Sequence, residues 1–393
     1  MEDAVILSGV RTPIGAFLGS LAALSAPQLG AAAIKEAVKR AGIEPADVDE
    51  VIMGCVLAGG MGQAPARQAA LFGGLPHSVP CMTINKVCGS GMKSVMLAAQ
   101  SIRLKESRIV VAGGMESMSN APYIMDKART GFRMGDATIV DSMIHDGLWD
   151  PYANVHMGNC GDLCARELHY AREQVDEYAA ESYRRALAAQ RDGRLKEEIV
   201  PVAIPQRKGE PVIVDTDEEP AKGDPGKLAA LRPAFGKEGV TTAGNASSID
   251  DGAAALVVAS RSEAERRGLR PLGRVVASAT HAQDPQWFTT APVFAIQKVL
   301  AAHCISLQDI DLFEVNEAFS VVAMAAADKV GIPREKLNVN GGAVSLGHPI
   351  GMSGARLVIT SLYELRRRGG RYAIATACIG GGEATAILLE STR

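Results

Sequence analysis

Two rhythms of apolar and polar residues run along this chain. Short apolar runs at 4–10, 51–57, 79–84 and 108–112 alternate with longer stretches at 27–41, 65–72 and 90–105, in which apolar residues recur at helical spacing. That order predicts strands and helices packed in α/β layers. The first helix is well punctuated: Ser25 and Gln28 suit a capping box, Pro27 falls near the first turn and Gly42 follows the end. After Gly91, Met92, Val95, Met96, Ala99 and Ile102 keep helical spacing while Leu97 and Ala98 make the middle turn apolar all round. This helix is therefore predicted to be buried.

From about 120 to 248 the pattern changes. Met, Asp, Gly and Pro multiply, a long amphipathic helix is predicted at about 173–192, and Lys and Glu cluster at 194–198 and 217–227. The alternating pattern then returns, with strands at 253–260, 271–280, 309–315, 372–378 and 384–390 and helices after Pro292, at 317–330 and at about 352–368. The flanks echo one another. ADVDEVIMG (46–54) resembles LQDIDLFEVNE (307–317), and the segment 88–117 resembles 350–383 in its Gly-rich turn, apolar helix, basic helix end and strand finishing in Gly-Gly. One α/β unit is used twice, giving one half from 1–119 plus 249–271, an inserted region at 120–248 and a second half at 272–393.

Composition narrows the classes. Hydrophobic residues reach 47% with only 4% aromatics, so the core is built from small aliphatic side chains that let helices approach closely. A formal charge of −3 gives no global basic field, which argues against sequence-independent nucleic-acid binding. Seven cysteines, an odd number spread over the chain, fit a reducing compartment better than a disulfide framework. MEDAVILSGVRTP lacks the basic segment of a secretion signal, and no run of eighteen apolar residues occurs, so a cytoplasmic protein with no membrane partner is expected.

Four segments could carry chemistry. In NKVCGSGMKSV (85–95), Cys88 stands at the start of the buried helix, where free N–H groups and the helix dipole favour a thiolate nucleophile. Most cysteines in such a core are only small buried hydrophobes, and GSGMKS lacks the full spacing of a phosphate loop. His348 lies in a glycine-dense turn within NVNGGAVSLGHPIGMSGAR (338–356), suggesting backbone folded tightly around something. Cys378 ends an apolar strand and meets three glycines in TACIGGGEA (376–384), and strand ends are where ligands gather in α/β sheets. Asn316, in EVNEAFS (314–320), falls at a strand-to-helix junction, where an N-cap role is the default. Cys160, Cys164 and His169 share one predicted helix without a second ligand pair, so packing rather than metal is expected there.

Together these segments resemble the thiolase family across the whole chain. VILSGVRTPIGAFLGSL, VVAGGMESMSNAPY, HMGNC, LRPAF, TAGNASSIDDGAAA and NEAF complete the likeness in the right order. The resemblance implies two thiolase-type halves in a five-layer αβαβα core, a loop domain embracing coenzyme A, and a homotetramer. It also implies reversible Claisen condensation of two acetyl-CoA to acetoacetyl-CoA and free CoA, without a metal or redox cofactor. Cys88 would carry the acyl group, and His348, with a water held by Asn316, would assist the thiol and stabilise an enolate. Cys378 would move the α-proton, and the N–H groups of Cys88 and Gly380 would form the other oxyanion hole. Decarboxylating ketosynthases share the fold but lack the second reacting cysteine.

Coenzyme A contacts carry over to His156, Met157, Phe235, Ala243, Ser247, Ala318 and Phe319. Two departures stand out. DEEPAKGDPGK lacks an arginine that many thiolases place near the adenine end, so Lys222 or Lys227 is expected to supply that charge. QWFTT places bulky Trp287 and Phe288 where many acetoacetyl-specific members have Met-Gly, which bears on acyl length. The rival readings are a broader 3-ketoacyl-CoA thiolase of fatty-acid breakdown and a non-catalytic acyl-CoA- or lipid-binding relative.

Overall fold

The computed structural model describes residues 2–392. Nine strands form one path: β1 (Ala4–Arg11), β2 (Glu50–Gly54), β3 (Cys81–Ile84), β4 (Ile109–Ser117), β5 (Asp250–Ser260), β6 (Gly273–Ala282), β7 (Leu312–Val315), β8 (Tyr372–Ile379) and β9 (Glu383–Ser391). Their order is β7-β8-β9-β6-β1-β5-β4-β2-β3. The pairs β2/β3, β2/β4 and β7/β8 are parallel and the rest antiparallel. Two halves meet at β1/β6, where only Val5 with Arg274 and Ile6 with Gly273 are paired.

The helices sort into layers around this sheet: α1 (Ala26–Ala41), α2 (Pro65–Phe72), α3 (Ser90–Leu104), α4 (Met157–Glu167), α5 (Arg172–Arg191), α6 (Ala291–His303), α7 (Ser320–Val330) and α8 (Ile350–Arg368). Period-2 alternation along β5 decides which face each meets. Ala253, Ala255, Val257 and Ala259 join one core with α1 and α2, whereas Ala254, Leu256 and Val258 join a second core with α3 and α8. A third core sets α4, α6 and α7 on the outer face of β7, β8 and β9. The outcome is the expected five layers, with α3 and α8 in the middle.

The two central helices touch through glycine. A Cβ on Gly91 would lie 2.8 Å from the Gly351 carbonyl oxygen, one on Gly114 only 1.9 Å from the same atom, and one on Gly354 2.5 Å from Met92 N. Backbone on both sides leaves no side chain free to yield.

The internal echo is physical. Asp49 accepts the N–H groups of Arg108 and Ile109 and donates its own N–H to Ile109 O at 2.9 Å. Asp311 does the same with Arg371, Tyr372 and Tyr372 O at 2.9 Å. Each strand–helix–strand unit is thus closed at its far end by one carboxylate.

The region 120–248 attaches through buried charge. Arg11 is fully buried and donates to Glu198 Oε1 at 2.6 Å and to both oxygens of Asp217 at 2.6 and 2.9 Å. Breaking such a paired set by removing one partner costs ~3–5 kcal/mol, so this region is held firmly against β1. On the other side, Tyr178 and Ser182 of α5 each donate at 2.8 Å to buried Glu317.

Of the boundaries that differ from the sequence reading, two have a clear physical cause. The strand expected at 51–57 ends at Gly54 because the N–H groups of Val56 and Leu57 turn to the Glu116 carboxylate instead of a neighbouring strand. The helix expected from 317 begins at Ser320, since Glu317 is drawn into the α5 contact.

Gly114→Ala is expected to lower stability by about 3 kcal/mol or more through backbone overlap. Gly236→Ala, whose Cβ would meet nothing within 4 Å, serves as the control with no appreciable change in urea midpoint.

Candidate active site

Cys88 sits in a tied turn rather than in the helix itself. Val87 adopts φ 45°, a left-handed conformation unfavourable for a β-branched residue. Ser90 Oγ compensates, accepting from Lys86 N at 2.8 Å and donating to Val87 O at 2.7 Å, while Asn85 Oδ1 accepts from Val87 N at 2.9 Å. An ion pair from Lys86 to Glu383 joins this turn to the one after Cys378. The N–H groups of Gly380 and of Cys88 itself point at the Cys88 sulfur.

The expectation of a resting thiolate fails. Burial pushes the Cys88 thiol up to about 11, outweighing the two N–H groups that oppose it, and the Glu116 charge adds to the rise. The helix begins two residues later, at Ser90, so its dipole acts at a distance.

His348 is fixed on three sides. Its N–H donates to Asp250 Oδ2 at 2.7 Å, Nδ1 lies 2.6 Å from Ser353 Oγ, and Nε2 lies 3.2 Å from Asn316 Nδ2. Ser353 Oγ donates to Pro349 O at 2.9 Å, so it accepts from Nδ1–H, and Nε2 is the basic nitrogen. Burial, with Arg356 adding to it, pulls the imidazole down to about 3. The resting pair is a thiol and a neutral imidazole.

Cys378 is fully buried at the end of β8. Burial raises its thiol well above the ordinary range, the nearby Cys88 sulfur raises it further, and the Ala318 N–H opposes both. Asn316 does not cap a helix: α7 starts four residues on, its cap position is Phe319, and the Asn316 amide faces His348. Its Oδ1 is buried without a partner among the described residues.

Cys88, His348 and Gly380 border a cavity of about 210 Å³, with Met118, Phe288, Ile350, His156, Met157, Phe235, Ala246, Ser247, Ala318 and Phe319 along its wall, whereas Cys378 and Asn316 lie behind that wall. His156 stacks on Phe235 at 4.6 Å, and Phe319 meets Phe235 and Phe288 edge-on at 6.2 and 6.3 Å. Phe235, Ala246, Ser247, Ser248 and Ile249 continue into an open groove of about 390 Å³ that includes Ala243 and Lys222. The result is an apolar cavity bordered by the Cys88 sulfur that continues into a groove bordered by a cation.

Of the two candidate lysines, Lys222 borders the groove, 3.9 Å from Glu219. Lys227 is exposed, pairs with Asp224 at 2.9 Å, and does not line the groove. Phe288 is buried in the cavity wall, whereas Trp287 stands half-buried outside it. Cys160 and Cys164 are buried in α4 with His169 beyond its end, and among the described residues no cluster of three or more His, Cys, Asp or Glu could hold a metal.

Sequence reading missed Ser353, Asp250 and Glu116. Ser353 lies within the quoted glycine-rich segment one turn into the helix, and Asp250 within SSIDDGAAA, so both were in view without a role. Glu116 carried one signal, an acid ending an otherwise apolar strand.

Comparison with known proteins agrees with this architecture. Residues 4–262 match the family model described as "Thiolase, N-terminal domain" and residues 269–391 match "Thiolase, C-terminal domain". The chain belongs to the thiolase family. It is 53% identical over 391 residues to acetyl-CoA acetyltransferase 2 of Arabidopsis thaliana, covering 99% of this chain and 97% of that one. The acetyl-CoA acetyltransferase of Cupriavidus necator is 51% identical over 391 residues, covering 99% and 100% of the two chains. That of Pseudomonas aeruginosa is 49% identical over 390 residues, with 99% of each covered.

Because the thiolate is the reactive form and burial raises the Cys88 thiol, alkylation of the ligand-free protein by iodoacetamide should keep accelerating above pH 9, towards a plateau near about 11. Peptide mapping of Cys88 at each pH checks this; a plateau below pH 8 would contradict it.

Proposed function

We propose that the chain catalyses the reversible condensation of two acetyl-CoA to acetoacetyl-CoA and free CoA, with Cys88 as the acyl carrier. The observation that carries this reading is the meeting of Cys88, His348 and the Gly380 N–H in the wall of one apolar cavity. Its apolar wall suits the pantetheine arm, and relatives at about half identity bear the name acetyl-CoA acetyltransferase.

In the first half-reaction the Cys88 sulfur attacks the thioester carbonyl, and His348 Nε2 takes the thiol proton and passes it to the departing CoA sulfur. The N–H groups of Cys88 and Gly380 receive the oxyanion. Once acetylated, Cys88 can no longer ionise, so no thiolate there opposes ionisation of Cys378 in the second half. Cys378 yields its proton to His348 Nε2 and, as the thiolate, takes the α-proton of the second acetyl-CoA. His348 and a water on Asn316 Oδ1 face the enolate oxygen, and the new carbon–carbon bond forms as the bond to Cys88 sulfur breaks. The freed Cys88 thiolate recovers its proton from His348, which returns both thiols and the imidazole to their starting charge.

The exchange is between thiols and thioesters throughout, so no oxidant enters, and we propose that no metal or redox cofactor is required. Phe288 at the cavity wall favours short acyl groups over the longer ones of fatty-acid breakdown. Lys222 would meet the nucleotide end of CoA; His156, Met157, Phe235, Ala243, Ser247, Ala318 and Phe319 would hold its arm. The domain division at 120–248, a cytoplasmic setting and a homotetramer belong to the same proposal. Seven unpaired cysteines suit a reducing compartment. Exposed Tyr123, Met125 and Ile139 on the paired strands Tyr123–Met125 and Ile139–Asp141 offer an apolar surface for assembly. Among the described residues no helix is long and apolar enough to cross a membrane.

Incubation with acetyl-CoA should add one acetyl group, mapped to Cys88 and absent from Cys88→Ser. An unmodified protein, or an acetyl group on another residue, would overturn the reading. Lys222→Glu should raise the Michaelis constant for acetyl-CoA by up to about fivefold at low salt, with the effect shrinking as salt is added. Lys227→Glu should leave it unchanged.

A further inference from the structure

The first turn of α8, which follows His348 directly, lacks an ordinary cap. A helix start leaves N–H groups that need acceptors. Here the cap position is Pro349, whose side chain has none to offer. Met352 and Ser353 donate back to Pro349 O at 3.1 and 3.0 Å. The Gly351 N–H instead reaches across the molecule to Glu116 Oε2 at 2.9 Å, a residue at the end of β4 in the other half.

Glu116 does more than cap. Its oxygens also accept from Val56 N at 3.0 Å and Leu57 N at 3.1 Å, and Cys55 Sγ lies 3.7 Å from Oε1. The side chain is fully buried, and among the described residues no lysine or arginine pairs with it. Val56 and Leu57 pack in one apolar cluster with Val87, Cys88 and Ile350. One carboxylate therefore grips the floor beneath the thiol and the start of the helix that carries the imidazole and its partner Ser353. The space is made for it: a Cβ on Gly351 would lie 2.8 Å from Glu116 Oε2 and 2.7 Å from Met115 O.

We propose that Glu116 is a positioning residue that sets the separation of Cys88 and His348, by capping α8 from the opposite half while holding the 55–57 turn under the nucleophile. The inference rests on the proposed acetyl-transfer function. Glu116 touches neither reacting sulfur nor substrate; beside the effect of its charge on the Cys88 thiol, it acts through the placing of His348. Gln at this position keeps the shape but turns an NH₂ towards one of three N–H groups. One anchor is lost and the ring is free to drift. A shift of about 1 Å in reacting groups can cost roughly 100-fold in rate.

The test measures the rate of Cys88 acetylation by rapid quench and mass spectrometry, per folded molecule. Glu116→Gln should slow acetylation by roughly 100-fold while leaving the Michaelis constant for acetyl-CoA within about threefold. Placed on His348→Ala, the same substitution should produce no further slowing, because the residue through which it acts is gone. Slowing that multiplies in the double variant, or a fall in melting temperature with the acetylation rate unchanged, overturns the proposal. Glu116→Asp, which keeps the charge but shortens the reach, supplies a second arm if the Gln variant does not fold. It should acetylate more slowly than the original, and an equal rate overturns the proposal. Absence of acetyl-Cys88 in the unsubstituted protein would instead sink the underlying function, so the two failures are distinguishable.

Discussion

The close approach of α3 and α8 is the constraint on which the rest depends. Their first turns meet where Gly91, Gly114, Gly351 and Gly354 let backbone approach backbone. Any side chain there would push the helix starts apart, and with them the two turns that hold Cys88 and His348. Small-residue packing in the central layer is thus a requirement of the site as well as of the core.

That closeness also sets the electrostatics. A site enclosed between the two halves of the sheet keeps both thiols protonated and the imidazole neutral, because each charged form would lose its water. Arg11 keeps its charge between two carboxylates. Burial raises the carboxyls of Asp250 and Glu116, the latter to about 7, and fixed donors oppose that rise: three backbone N–H groups at Glu116, the His348 N–H and the Ser248 hydroxyl at Asp250. The preorganised N–H groups around Cys88 can therefore stabilise a transient oxyanion without first being freed from water.

Much of this was legible in the sequence. The strand and helix order followed from periodicity, the buried character of α3 from its apolar middle turn, and the duplication from matching segments that proved to be β2-α3-β4 and β7-α8-β8. What escaped was non-local. Asn316 looked like a cap because nothing in EVNEAFS reveals that Glu317 is bound to Tyr178 and Ser182 on a distant helix. The acidity of Cys88 was misjudged because a helix start is visible in sequence, whereas the desolvation of its sulfur is a property of the assembled layers. Glu116 gave no hint of its partner, which lies 235 residues away.

The paired clamps of Asp49 and Asp311 bear on how such a molecule can change over evolutionary time. Each repeat is latched at the end remote from the cavity, by the same carboxylate-to-backbone pattern. The opposite ends carry no such shared duty. One repeat could thereby come to bear a thiol while its twin came to bear a ring, without loosening the scaffold that both inherit. A latch at the rear and licence at the front is a recipe for evolvability in a duplicated fold.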